Sequence, residues 1–347
     1  MRPSGPDQAD LFGAPEPPST PDRVAPAAIP PAVADLAARI PAAIRMGTSS
    51  WTFPGWRGQV YREDAPARAL ASHGLAAYGA HPALRAVGLD RTWHQPMPAD
   101  AFAHLAAQVP DDFRFVVKLH AASTSPRAPG PPSADRGPNP LFLDPAFARD
   151  SVVEPAMAGL GARLGVVLVQ FPPLPDSIVA DPAGFAAALV DFVTALPAGP
   201  VYAVEPRNRG ILGGHYARAL RACAAVHCLN GHPTMPPLAA QLERWSPRPG
   251  LPLMVRWSLG GTAGYEAMRQ HYAPFSRVVD PDPATRAAIA RACLAQTAAG
   301  GESLVIVNNK AEGCAPGTVL GIAAALVAAL DDEAGEQGTC AVAARSN

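Results

Sequence analysis

The chain has 347 residues, of which 48% are hydrophobic and 16% are charged, and its formal net charge is -1. Charges so nearly balanced create no broad electrostatic field, which excludes recognition of a nucleic acid or a membrane by overall charge. The five cysteines include no CxxC pair, so neither a zinc knuckle nor a disulfide framework is indicated.

Both chain ends are predicted to lie outside the folded domain. Residues 1–43 are rich in Pro, Ala and Asp and show no sustained period, which predicts a disordered N-terminal tail. Residues 333–347 predict a shorter flexible tail, which leaves 44–332 as the folded domain. No apolar run reaches the roughly 18 residues of a membrane-spanning helix, so we expect a cytoplasmic protein without a membrane partner.

Between the tails, short apolar runs alternate with longer helical runs. The predicted strands are 44–49, 84–90, 113–119, 165–171, 201–205, 225–230, 253–258 and 303–308. The predicted helices are 65–79, 99–108, 145–162, 182–195, 214–224, 284–299 and 316–330. The strands are almost continuously apolar, as expected when helices cover both faces of a parallel sheet. The fold class is therefore α/β, and the pattern favours a single (β/α)8 TIM-type barrel.

The first strand ends in a segment rich in aromatic residues and glycine, MGTSSWTFPGWRG at 46–58. We expect its glycines to turn the loop back across the barrel mouth, with Trp51 facing a ligand. Trp56 and Tyr61 either line the same pocket or only pack the loop onto the barrel. A second long loop, 121–144, follows the third strand and is either a lid or a variable insert.

Polar side chains follow every predicted strand, at the end where TIM barrels carry their active sites. The candidate site residues are Asp90, Lys118, Gln170, Glu205, Arg207, Arg256, Asn308 and Asn309, together with Trp51. Lys118, Glu205 and Arg256 are unusual, because a charge inside an apolar strand is costly unless it is paired or used. A purely structural ion pair among these three is the main alternative to a functional site.

These residue types suggest chemical roles. We expect burial to raise the pKa of Glu205 toward neutrality, so that it serves as the catalytic acid or base. Lys118 and Arg256 would bind an anionic group. The amides would orient hydroxyl groups, and Trp51 would offer a flat apolar face. The set predicts an isomerase, lyase or hydrolase acting on a small sugar, sugar phosphate or other anionic polyol.

A metal centre is a weaker alternative. Asp90, His120, Glu205 and His232 could supply ligands, but they show no HExxH motif or spaced ligand pair. No cofactor is therefore predicted, and a divalent metal is left open. A facing pair of carboxylates is also missing, which argues against a glycosidase with two catalytic carboxylates.

Several blocks resemble a known family. GTSSWTFPGWRGQVY (47–61) resembles the opening signature of the YecE-like family, domain of unknown function 72. Later blocks resemble it in the same order: FRFVVKLH (113–120), LGVVLVQFPP (164–173), YAVEPRNRG (202–210), VRWSLG (255–260) and VNNKAEGCAP (307–316). The resemblance covers roughly 44–330. It implies a barrel similar in architecture to sugar isomerases and endonucleases, and it supplies no substrate.

The second strand departs from that family pattern. Family members usually show a pattern like VEINSTFY at this strand, whereas this chain has VGLDRTWH at 87–94. Gly88 therefore occupies the position where the family pattern has a glutamate. Either Asp90 replaces that carboxylate or the site is altered. A binding protein that has lost the family's reaction is therefore a further hypothesis.

The N-terminal tail contains a short motif of its own. Residues 8–12 read QADLF, which resembles the pentapeptide by which bacterial DNA-maintenance proteins bind the sliding clamp. Leu11 and Phe12 would fill an apolar pocket of the clamp, and Gln8 would form a hydrogen bond at its edge. This motif favours a DNA repair or processing factor. The near-zero net charge of the chain argues against that function.

Overall fold

The computed structural model describes residues 23–128, 137–259 and 265–344. Eight parallel strands close into a barrel in chain order, with the first strand paired to both the second and the eighth. The predicted single (β/α)8 TIM-type barrel is therefore confirmed. The QADLF motif at 8–12 lies outside the described residues.

All eight strands form where the apolar runs predicted them. They are β1 Ile44–Thr48, β2 Ala86–Leu89, β3 Arg114–Lys118, β4 Leu164–Gln170, β5 Val201–Glu205, β6 Val226–Asn230, β7 Leu253–Trp257 and β8 Ser303–Val307. Their side chains are almost all buried, because helices cover the outer face and the opposite strands fill the inner one.

The helices outside the barrel include every predicted one. They are α1 Pro31–Ala38, α2 Ala67–His73, α3 Leu75–Gly79, α4 Ala99–Ala106, α5 Ala121–Thr124, α6 Pro145–Ala148, α7 Glu154–Leu160, α8 Asp176–Val179, α9 Pro182–Thr194, α10 Gly214–Ala222, α11 Leu238–Glu243, α12 Tyr265–Tyr272, α13 Pro283–Ala298 and α14 Ala315–Ala344. A π-helical turn, Arg149–Val153, separates α6 from α7. The helices α1, α5, α8, α11 and α12, of four to eight residues each, were not predicted.

Three of the helices begin with the same Asp-Pro-Ala sequence. Asp144, Asp181 and Asp282 each accept a hydrogen bond from a backbone N–H in the first turn of α6, α9 and α13. The proline that follows occupies the first helical position, where its missing N–H costs nothing. These local signals determine where the chain leaves the loops at the barrel ends and enters the outer layer.

The boundaries predicted for both tails need correction. Within 23–43, Val24 is buried, Pro26 forms a β-bridge with Tyr61, and α1 packs against α14. At the other end α14 continues to Ala344 instead of ending near residue 330. The proline-rich composition of the first segment gave no sign of this order, because the segment is held by contacts with distant parts of the chain.

One part of α14 also corrects the expectation that no segment is long enough to span a membrane. Among the described residues, Ala315–Ala334 is the one helical stretch that is long and apolar enough. However, Val319, Ile322 and Leu326 on this stretch are fully buried in the hydrophobic core beside the barrel. A core helix passes the same test of length and composition, so the stretch is weak evidence for a membrane span.

Candidate functional site

The inner face of the barrel changes from apolar to charged toward the C-terminal ends of the strands. The apolar interior includes Val116, Leu168, Ala203, Met254 and Ile306. Two positions later come Lys118, Gln170, Glu205 and Arg256 on the same strands, and Asn308 directly after β8. Because strand side chains alternate between the two faces, these residues point into the barrel directly above the apolar layer.

Glu205 is fully buried, and two arginines contact its carboxylate. Nη1 of Arg256 lies 2.5 Å from Oε2 of Glu205, and Nη2 of Arg207 contacts Oε1. Gln170, the register partner of Glu205, accepts a hydrogen bond of 3.2 Å from each arginine. The four side chains therefore form one connected unit.

Asp90 adds a second carboxylate to this unit. Its Oδ1 lies 3.0 Å from Nζ of Lys118 and 3.3 Å from Nη2 of Arg256. Nζ of Lys118 also lies 5.0 Å from the centre of the Trp93 ring, within reach of a cation–π contact. Asp90, Lys118, Gln170, Glu205, Arg207 and Arg256 are called the mouth cluster below.

The protonation state of Glu205 differs from the one expected from its sequence position. Burial raises the pKa of its carboxyl group, but the charges of Arg207, Arg256 and Lys118 together outweigh burial and lower the pKa to about 2. Glu205 is thus ionised at neutral pH and has no exposed surface. The expectation of a raised pKa is wrong, because two guanidinium groups contact this carboxylate directly.

The mouth cluster carries more positive than negative charge. Lys118, Arg207 and Arg256 contribute three positive charges, and Asp90 and Glu205 contribute two negative ones, which leaves a surplus of one. Burial lowers the pKa of both Lys118 and Arg207, even though carboxylates contact them. The Nε atom of Arg207 is buried and has no hydrogen-bond partner. The carboxylates therefore compensate these two cations incompletely.

The two predicted asparagines lie in different surroundings. Asn308 is partly exposed at the mouth, where its Nδ2 donates to Oγ of Ser49 at 2.8 Å. Asn309 is buried, and its Oδ1 accepts from Trp56 Nε1 at 3.1 Å and from the backbone N–H of Ala315 at 2.8 Å. Asn309 thus links the loop after β1 to the start of α14, and its contact with a substrate stays a prediction.

The aromatic residues of the first loop have separate positions as well. Trp56 and Tyr61 are buried and pack the loop onto the barrel. Trp51 lines a cleft beside the mouth, which Asp90 also lines, and its Nε1 donates to the carbonyl of Leu70 at 2.9 Å. The indole of Trp51 is therefore held in one orientation, next to the mouth cluster instead of within it.

The block VNNKAEGCAP is largely structural. Glu312 is fully buried, accepts a hydrogen bond from the backbone N–H of Asp282 and pairs with Nη2 of Arg286 at 2.8 Å. It therefore ties the end of β8 to the beginning of α13. Gly313 follows with a φ of +110°, a conformation that L side chains rarely adopt.

The geometry gives no support to the metal hypothesis. In the described parts of the chain, no three His, Cys, Asp or Glu side chains are grouped as metal ligands. Nδ1 of His120 accepts from the backbone N–H of Ala122, and His232 is hydrogen-bonded to Thr234 at 2.8 Å. These two histidines therefore have local structural partners.

The expected glutamate position in β2 is tightly packed. A Cβ atom on Gly88 would lie 3.3 Å from both Cα and the carbonyl oxygen of Ser49 and 3.6 Å from Cγ2 of Ile306. Asp90 directly follows the end of β2 and contacts Lys118 and Arg256. In this chain the carboxylate is therefore nearer the open end of the barrel.

Sequence reasoning missed the residues that support the mouth cluster from below and from the side. Gln241, on the unpredicted helix α11, donates to the carbonyl of Asn230 at 2.8 Å, and Asn230 donates to the carbonyl of Pro206 at 3.2 Å. Oγ1 of Thr234 donates to the carbonyl of Arg207. Only the inward position of Asn230 in β6 could have been inferred, from the alternation of the strand.

The sequence matches one protein family, and the fold is similar to solved structures from that family. Residues 45–339 match the family described as "Protein of unknown function DUF72". A structure of a DUF72 family protein from Enterococcus faecalis V583 is similar, with a TM-score of 0.53 and 17% identity over 82% of this chain and 95% of that one. A DUF72 family protein from Thermotoga maritima MSB8 has a TM-score of 0.51 and 19% identity over 83% of this chain and 99% of that one. No curated protein matches the chain.

Proposed function

This chain belongs to the DUF72 family, and we propose that the mouth of its barrel binds a small anionic ligand through the mouth cluster. The ligand would carry a phosphate or carboxylate group, as a sugar phosphate or another anionic polyol does. Lys118, Arg207 and Arg256 are proposed to contact the anion. Glu205 is proposed to hold the two arginines in place from below.

The observation that carries this proposal is the uncompensated positive charge of the mouth cluster. Taking a charged group out of water is costly unless an opposite charge and hydrogen bonds replace the water. The three cations are only 6–9% exposed, and together they exceed their carboxylate partners by one charge. A bound anion would supply the missing charge.

Unused hydrogen-bond donors support the same proposal. Lys118 has three N–H donors, of which its 3.0 Å contact with Asp90 uses one. Nε of Arg207 is buried without a partner. Guanidinium and ammonium groups together suit the several oxygens of a phosphate or a carboxylate.

The geometry supports binding better than acid–base catalysis by Glu205. A catalytic acid or base works best with a pKa near the working pH, whereas the pKa of Glu205 is about 2. Burial together with the charge of Arg207 lowers the pKa of His232 to about 4. An isomerase, lyase or hydrolase reaction on the bound ligand stays a proposal with no acid or base assigned to it.

Calorimetric titration with inorganic phosphate at low ionic strength tests the binding proposal. We expect Lys118→Met to weaken phosphate binding at least about tenfold, because it removes one charge-assisted contact. The matched control is Arg221→Met, which removes a positive charge from the exposed surface of α10 and should leave binding unchanged. Absence of binding by the wild-type protein, or equal loss in both variants, would overturn the proposal.

A separate proposal concerns the sliding clamp and rests on the QADLF sequence alone. Gln8, Leu11 and Phe12 would bind the clamp, as in DNA-maintenance proteins of the cytoplasm. A peptide of residues 1–20 should bind purified clamp, and the double substitution Leu11→Ala and Phe12→Ala should abolish binding. A peptide that fails to bind, or a double variant that binds equally well, rejects this proposal.

A further inference from the structure

A cleft of about 720 Å³ opens beside the mouth, between the ends of β1 and β2 and the helices α2 and α4. Ser49, Trp51 and Asp90 line its side toward the barrel, and Ala101 and His104 of α4, with Gln108 just after it, line the opposite side. This volume lies within the range that accommodates a drug-sized ligand, roughly 300–1,000 Å³. A phosphate group alone would fill only a small part of it.

The cleft and the mouth cluster share Asp90. Its carboxylate contacts Lys118 and Arg256 on one side, and the same residue lines the cleft on the other. Gly88, on the same strand, also lines the cleft and adds no side chain there. A ligand whose anionic group reached the cations could therefore extend into the cleft next to Asp90.

The lining combines apolar surfaces with hydrogen-bonding groups. Trp51, Leu89, Met97 and Leu105 supply apolar surface, and the polar groups include His104, Gln108 and the charged Arg91 and Asp100. The indole of Trp51 cannot turn away easily, because its Nε1 is bound to the carbonyl of Leu70 at 2.9 Å. Apolar faces combined with polar edges match an aromatic ring system better than a simple polyol, which would leave the apolar lining in contact with water.

We infer that the ligand is an aromatic phosphate, with its phosphate at the mouth cluster and its ring system in the cleft. This inference rests on the proposed anion-binding function and narrows the class of ligand. Glycerol phosphate would occupy the mouth and leave the cleft empty. An aryl phosphate and a nucleoside monophosphate share the required chemistry, so both are tested.

The experiment compares four probes by calorimetry: inorganic phosphate, glycerol phosphate, 1-naphthyl phosphate and adenosine monophosphate. We expect at least one of the two aromatic probes to bind about tenfold or more tightly than glycerol phosphate. Ala101→Trp, which places an indole in the cleft, should abolish that advantage and leave inorganic phosphate binding unchanged. The matched control is Ala103→Trp, at an exposed position of α4 that does not line the cleft.

The outcomes distinguish a failure of this inference from a failure of the anion-binding proposal on which it rests. If wild-type protein binds none of the four probes, the anion-binding proposal fails. If inorganic phosphate binds but neither aromatic probe exceeds glycerol phosphate, only the inference on the ring system fails. The inference also fails if Ala101→Trp retains the aromatic preference while still binding inorganic phosphate. If the inference holds, the aromatic probe that binds more tightly shows whether the ligand is an aryl phosphate or a nucleoside monophosphate.

Discussion

Nη1 of Arg256 lies 2.5 Å from Oε2 of Glu205, on the inner face of the barrel where the apolar interior ends. Glu205 is fully buried, and the side chain of Arg256 is 6% exposed. The arginine thus lies between a buried carboxylate and the open mouth. This arrangement favours a positioning role for Glu205 and a binding role for Arg256.

Removing the charge of Glu205 should destabilise the protein strongly. Glu205→Gln leaves Arg207 and Arg256 buried beside a neutral group, and we expect a loss of about 3–5 kcal/mol in the free energy of unfolding. Glu154→Gln is the matched control, because Glu154 is 60% exposed and lies 3.9 Å from Arg149. We expect the control to lose less than about 1 kcal/mol. Equal unfolding midpoints in urea for the two variants would contradict the structural account of Glu205.

Glu205 should also make stability depend on pH in a defined window. Its pKa falls from 4.5 to about 2 on folding, so its contribution is complete above pH 4.5 and is lost as the pH falls toward 2. The slope for one such group is at most about 1.4 kcal/mol per pH unit. Urea unfolding below pH 4.5 should therefore show a steeper loss in the wild-type protein than in Glu205→Gln.

A histidine provides an internal check on this pH experiment. Burial lowers the pKa of His81 from 6.5 to about 4, so its contribution to stability is lost as the pH falls through that range. This loss of stability should occur in both the wild-type protein and Glu205→Gln. It should therefore cancel when the free energy of unfolding of one is subtracted from that of the other. If the stability difference between the wild-type protein and Glu205→Gln already changes between pH 6.5 and 4.5, Glu205 is not the source of that change.

Asp90 should oppose anion binding. It is the most exposed charged group of the mouth cluster, at 41%, and its carboxylate competes with a ligand for Lys118 and Arg256. Asp90→Asn raises the surplus charge of the cluster, so we expect affinity for inorganic phosphate to rise by about threefold to tenfold. Calorimetry at two salt concentrations measures this change, which should be smaller at high salt. Weaker binding in Asp90→Asn would instead mean that Asp90 orients the cations for the ligand.

The glycine at the end of β1 should be indispensable for folding. A Cβ atom on Gly47 would lie 1.6 Å from the carbonyl oxygen of Ala86, so Gly47→Ala must displace the backbone of β2. We expect a loss above about 3 kcal/mol or failure to fold. Gly213→Ala is the control, since nothing lies within 4 Å of its added Cβ atom. Similar thermal midpoints in the two variants would contradict the close approach of β1 to β2.

Much of this architecture could be predicted from the sequence, because it depends on local patterns. The apolar run that became β4 and the Asp-Pro starts of α9 and α13 need no knowledge of distant residues. The alternation of side chains within a strand also explains why Lys118, Gln170, Glu205 and Arg256 share the inner face. Long-range contacts explain the failures: α1 is ordered by α14, and Trp56 and Asn309 bond to each other across 253 positions of the chain.

The protonation state of Glu205 could not be predicted for a similar reason. Its place in an apolar strand correctly indicates burial, and burial alone would raise its pKa. The opposite outcome depends on contacts with Arg207, two residues further along the chain, and with Arg256, which lies on β7, two strands away in the barrel. A sequence pattern gives the residue types at the mouth but not which of them meet.

The most direct test of the central claim is a crystal structure of the wild-type protein with tungstate, a phosphate analogue that is located by its anomalous signal. The account predicts an anomalous peak at the barrel mouth, with oxygens within about 3 Å of Lys118 Nζ and of the guanidinium groups of Arg207 and Arg256. The same peak should be absent from crystals of Lys118→Met. Tungstate found only at other surfaces, with the mouth cluster unchanged, would contradict the account.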